Sequence, residues 1–79
     1  MLTEYIAAAL RRAAYDKLED GTFYGEIPGI QGVFANESTL EECRRELQST
    51  LEDWLVFSLA NNFPIPSVDG VQLTATKVA

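Results

Sequence analysis

Apolar residues recur at Leu2, Ile6, Leu10 and Ala13, with helix-favouring alanines between them and Thr3 placed as an N-cap. The spacing predicts a short helix from about Glu4 to Ala13. Glu4 near its start and Arg11 and Arg12 near its end suit the helix dipole. The pattern then changes. Asp20-Gly21 divides the stretch from Ala14 to Leu18 from the aromatic run Thr22-Phe23-Tyr24-Gly25-Glu26-Ile27, which reads as an antiparallel hairpin. With Asp20-Gly21 as a two-residue turn, Leu18 falls opposite Phe23, Asp16 opposite Gly25 and Tyr15 opposite Glu26. Phe23, Gly25 and Ile27 then share one face. Pro28-Gly29-Ile30-Gln31-Gly32 is rich in turn formers, and Val33-Phe34-Ala35 completes a third strand.

The longest element follows. Ser38-Thr39-Leu40-Glu41 and Thr39-Leu40-Glu41-Glu42 both fit a capping box, and Leu40, Cys43, Leu47, Leu51, Trp54, Leu55 and Leu59 draw one apolar stripe behind it. This predicts a helix of five or six turns, ended by Asn61-Asn62 in left-handed geometry and barred from continuing by Pro64 and Pro66. After an Asp69-Gly70 turn, the threonine- and valine-rich segment from Val71 to Val78 reads as a C-terminal edge strand or a tail. The expected fold class is α+β: an N-terminal helix, then a three-stranded antiparallel sheet with one long helix packed on it. Residues 1–79 form a single domain, with 1–13 as an N-terminal helical extension, 14–66 as the core and 67–79 as the C-terminal segment.

Composition narrows the chemistry. A chain of 79 residues that is 47% hydrophobic with eight aromatics has the material for one small core. Twelve acids against six bases give a formal charge of −6, the wrong sign for a phosphate-binding surface. No direct nucleic-acid binding is expected. With no histidine, the chain lacks the usual general base at neutral pH and every zinc site that needs imidazole. Cys43, the single cysteine, has no internal disulfide partner, no apolar run approaches membrane-spanning length, and Glu4 stands where a signal peptide would carry positive charge. The expectation is a cytoplasmic protein.

Carboxylates are the remaining candidates for catalysis, because they can hold metal ions for phosphodiester cleavage. Asp16, Glu19, Asp20 and Glu26 cluster on the hairpin, but Asp20 belongs to the turn, and the register above sends Asp16 and Glu26 to opposite faces. A solvated rim is the simpler reading, and no metal or cofactor is expected. Cys43 sits in the apolar stripe, where a thiol behaves as a small hydrophobe. Trp54 reads as a core plug or subunit contact. Gly29-Ile30-Gln31-Gly32 lacks the lysine of a phosphate cradle, and the basic pairs Arg11-Arg12 and Arg44-Arg45 are too diluted by acids to make a nucleic-acid groove on one chain. From Glu37 to Asp53 six acids face two arginines. Such a surface is either simply solvated or suited to docking a basic partner.

The order of these pieces resembles the HicB family, the antitoxin half of HicA–HicB toxin–antitoxin pairs. The resemblance lies in Phe23-Tyr24-Gly25-Glu26-Ile27-Pro28, Gly29-Ile30-Gln31-Gly32, Val33-Phe34-Ala35, Thr39-Leu40-Glu41-Glu42-Cys43 and Pro64-Ile65-Pro66. It implies a partial ribonuclease H-like fold without that enzyme's active site, assembling as a dimer or higher oligomer. It further implies a non-catalytic protein that binds and neutralises HicA, a small basic ribonuclease that cuts messenger RNA. Gln31 and Glu37 depart from the family pattern. Many members also carry a C-terminal DNA-binding domain, whereas only Ser67 to Ala79 follow Pro66 here. Under this reading the partner-binding residues are the acids Glu42, Glu46 and Asp53 on the exposed side of the long helix, with Ile30 and Phe34 as apolar anchors. The alternative is a HicB-like structural or regulatory interaction module that has no toxin.

Overall fold

In a computed structural model that describes residues 2–73, the chain runs α1 (Leu2–Arg11), β1 (Ala14–Lys17), β2 (Phe23–Ile27), β3 (Ile30–Glu37) and α2 (Leu40–Ala60). The strands form one antiparallel sheet in the order β1-β2-β3, and α2 lies chiefly over β3 and β2. This is the α+β architecture that the spacing of apolar residues predicts.

The hairpin register differs by one residue from the expected one. The pairs are Ala14 with Glu26, Tyr15 with Gly25, Asp16 with Tyr24 and Lys17 with Phe23. The cause is the loop. Leu18 N–H donates to the Thr22 carbonyl at 2.8 Å and Gly21 N–H donates to the Leu18 carbonyl at 3.0 Å, so Glu19, Asp20 and Gly21 form a three-residue connection. Gly21 takes φ +89°, the left-handed position that such a connection demands. Asp20 Oδ1 accepts from the Thr22 hydroxyl at 2.6 Å and from the Thr22 amide at 3.0 Å, which holds the Asp20 carboxyl below its ordinary pKa.

β3 is longer than the expected Val33–Ala35 because Pro28-Gly29 alone makes the turn and brings Ile30 opposite Ile27. The register then shifts between Glu26 and Ile27, so that Phe34 meets Glu26 and Ala35 meets Gly25.

The α2 cap matches the capping expectation. Thr39 is the N-cap, its hydroxyl accepts from Glu42 N–H at 3.1 Å, and Ser38 Oγ donates to Glu42 Oε1 at 3.0 Å. At the other end, Phe63 N–H reaches the Ser58 carbonyl and Asn62 N–H the Leu59 carbonyl, with Asn62 at φ +57°. These bonds form a Schellman motif, closed by an edge-on contact of the Phe57 and Phe63 rings at 5.5 Å. Cys43, Leu47, Leu51, Leu55 and Ser58 are buried. Trp54 and Leu59 are only half-buried and Leu40 is exposed, so the stripe is narrower than the sequence suggests.

The burial of α1 also departs from expectation. Tyr5, Ala8 and Ala9 face the core, Ile6 and Leu10 are half-buried and Leu2 is exposed. The two small alanines allow close approach, and the Tyr5 hydroxyl donates to the Pro66 carbonyl at 2.5 Å. Arg12 Nε lies 3.4 Å from Asp69 Oδ1, a second link to the same segment. Asp69 and Gly70, both at positive φ, make a tight turn that pairs Val68 with Val71 in a single bridge. Of the edge strand expected from Val71 to Val78, Gln72 and Leu73 lie in no strand, and residues 74–78 lie outside the described residues.

Candidate partner-binding surface

Cross-strand partners share a face, so the corrected register sorts the sheet anew. Tyr15, Gly25, Ile27 and Ala35 turn toward α2, while Asp16, Tyr24, Glu26, Phe34 and Asn36 turn away from it. Asp16 and Glu26 therefore lie on one face, contrary to the sequence expectation. Among the described residues no cluster of three carboxylate, thiol or imidazole groups is placed to hold an ion.

The outward face carries an aromatic patch. The Tyr24 and Phe34 rings stack at 6.1 Å with an interplanar angle of 25°, and Phe34 is 55% exposed. The Tyr24 hydroxyl donates to Glu26 Oε1 at 3.3 Å, and Asn36 Nδ2 donates to the Thr22 hydroxyl and the Phe23 carbonyl, both at 2.9 Å. A shallow depression of about 280 Å³ runs from Tyr24 past the Pro28-Gly29 turn to Phe34. Phe34 is thus available as an anchor. Ile30 is not: its pairing with Ile27 places it in the core at 4% exposure, so its expected role as an anchor is withdrawn.

Glu42, Glu46 and Asp53 are all exposed on α2. At about 100° of rotation per residue, these positions fall within about 40° of one another around the helix axis. They form one acidic stripe, and Phe57, 58% exposed, continues it toward the helix C-terminus. α2 covers the inner face of the sheet, so this stripe and the Tyr24–Phe34 patch belong to different layers of the molecule. The expected acids and the expected anchor do not share a surface. Phe57 is the aromatic group of α2 that shares the face of the acids, and its place in the helical period was the signal that would have found it.

Cys43 is fully buried, its thiol donates to the Ala35 carbonyl at 3.6 Å, and burial pushes its pKa up, with the Glu37 charge adding to the effect. This is the opposite of a reactive thiolate. No described helix is long and apolar enough to cross a membrane.

No curated relative matches the chain. A solved structure, that of TTHA0281 from Thermus thermophilus, is 41% identical, covers 91% of this chain and 90% of its own, and superposes with a TM-score of 0.86. The sequence profile described as UPF0150-like matches residues 4–66, which takes in all but the first two residues of α1, the whole sheet, α2 and the Pro64-Ile65-Pro66 segment. The chain belongs to the UPF0150-like family.

Proposed function

We propose that this protein is a non-catalytic, HicB-like antitoxin that binds and neutralises a basic, HicA-type ribonuclease toxin in the cytoplasm. The observation that carries the reading is the exposed acidic stripe of Glu42, Glu46 and Asp53 leading to Phe57. A basic nuclease must keep its RNA-binding surface positive, and a row of carboxylates beside an exposed aromatic ring is suited to cover it. The charges speed the encounter and the ring supplies desolvated contact. The ordered resemblance to HicB from Phe23 to Pro66 supports the same assignment. Self-association fits the reading too, because Leu2, Val56, Phe57 and Phe63 all expose large apolar side chains.

Growth rescue tests it. A HicA-type toxin encoded beside this gene is expected, and its expression alone should arrest growth that co-expression of this protein restores. The purified complex should fail to cleave RNA until the proteins are separated. Persistent toxicity with the folded protein present, and no complex on mixing, would leave an interaction module without a toxin as the better account.

A further inference from the structure

A groove lies away from the acidic stripe, on the flank of α2 that faces α1. It has a volume of about 510 Å³ and is lined by Leu10, Arg11, Tyr15, Arg44, Arg45 and Gln48, together with Ala13 and Glu41. The chain has only six cationic side chains, and three of them line this groove, Arg11 from α1 and the adjacent Arg44 and Arg45 from α2, more than thirty positions further along the sequence. Against the single carboxylate of Glu41, the local formal charge is 3 − 1 = +2 in a protein whose net charge is −6. Among the described residues, Arg45 lies 4.0 Å from Glu41, while Arg11 and Arg44 have no carboxylate within ion-pair distance.

We propose that this groove is a binding site for a small, multiply charged phosphate compound, with Arg11 and Arg44 as its principal ligands. Donors outnumber acceptors among its polar side chains: three guanidinium forks, the Gln48 amide and the phenol of Tyr15, whose ring is fixed in place against Gly25, stand against the one carboxylate of Glu41. Burial raises the Tyr15 pKa, and Arg44 is close enough to oppose that rise, so the phenol stays a protonated donor beside a cation at neutral pH. Phosphate fits better than carboxylate because each phosphate group offers three oxygens, enough for two forks arriving from different helices to share it. The volume falls within the range of small-molecule sites. Arg11 also suits the C-terminal dipole of α1, a role that asks nothing of Arg44.

Pyrophosphate titration of the full chain, followed through the Nε–H resonances of the arginines by nuclear magnetic resonance, is the test. Saturable shifts of Arg11 and Arg44 are expected, weakening as salt is added. The R11Q/R44Q double variant should bind roughly tenfold or more weakly while melting at the same temperature, since both side chains are exposed. Arg44→Lys, which keeps the charge but loses the fork, should fall between. Absence of saturable shifts, equal shifts in the double variant, or equal affinity for citrate at matched ionic strength would each overturn the assignment. Because the groove and the acidic stripe occupy different flanks of α2, none of these outcomes bears on toxin binding.

Discussion

Tyr15 and Gly25 face each other across the β1–β2 ladder, and the tyrosine ring fills the space that a side chain on Gly25 would need. A methyl group at Gly25 would sit 2.7 Å from Tyr15 Cε1, 2.8 Å from Cδ1 and 3.2 Å from the Cys43 sulfur. The glycine thus lets an aromatic ring and the first turns of α2 close on the same strand. Gly25→Ala gains strand propensity worth less than about 1 kcal/mol, but it forces the ring off its seat. The expected net loss is about 1 to 2 kcal/mol in urea denaturation, and Tyr15→Ala in the same chain should make the alanine at position 25 harmless. Simple additivity of the two changes would show that the ring and the glycine are not coupled.

Leu51 is fully buried at the centre of α2, whereas Trp54 is half-buried at its edge. Leu51→Ala should cost about 2 to 5 kcal/mol, and Trp54→Ala should cost less despite removing more atoms, because part of the indole is already in water. Denaturation midpoints of the two variants check the order.

Burial raises the pKa of the Tyr5 hydroxyl above its ordinary value of 10.0. Its ionised form is disfavoured in the folded chain, so the stabilisation is complete below about pH 10. It is lost as the pH rises from there through the raised value, because the unfolded chain releases its proton first. Tyr15 acts with the same sign. Tyr5→Phe should therefore shrink the alkaline loss of stability without removing it. At neutral pH it should cost about 1 kcal/mol, through the orphaned Pro66 carbonyl. Melting curves from pH 7 to 11 separate the two effects.

Reversal of Glu46 and Asp53 to lysine should slow association with a basic toxin and flatten its salt dependence, with the fold intact. Adding Glu42→Lys should cost about 1 kcal/mol of stability besides, because Glu42 also receives the Ser38 hydroxyl and sits in the first turn of α2. Surface plasmon resonance at several salt concentrations, alongside thermal melts, distinguishes a kinetic role from a structural one.

The parts of this fold that were legible in the sequence are those whose causes are local. Thr39 and Glu42 are one turn apart, and their cap is readable from the chain alone. Asn62 takes the left-handed conformation at the end of α2 that its residue type favours. The hairpin register was less accessible. Asp20-Gly21 marks a turn, but whether two or three residues span it depends on how the strands twist and pair, and the one extra residue moved Asp16 onto the face of Glu26. The buried side of α1 was hidden for a different reason: Tyr5 is fixed by Pro66, sixty-one positions away, and no local periodicity reports that bond. The convergence of Arg11 and Arg44 was likewise set by the docking of two helices, and the pairs looked isolated in the linear chain. Ile30 was misplaced because a turn-rich segment read as an open loop when only Pro28 and Gly29 turn the chain.

The hydrogen bond from Tyr5 to the Pro66 carbonyl also sets an order of events during synthesis. α1 emerges from the ribosome before the strands and α2, yet the groups that lock it, Pro66 and Asp69, emerge after every strand and after the whole of α2. The sheet and long helix can assemble before those groups are in place, but until then α1 lacks its lock, with Tyr5, Ala8 and Ala9 free to leave the core. A chain truncated before Pro66 would therefore present a finished sheet with its first helix loosened, and protease should cut within residues 2–11 and spare β1 to β3.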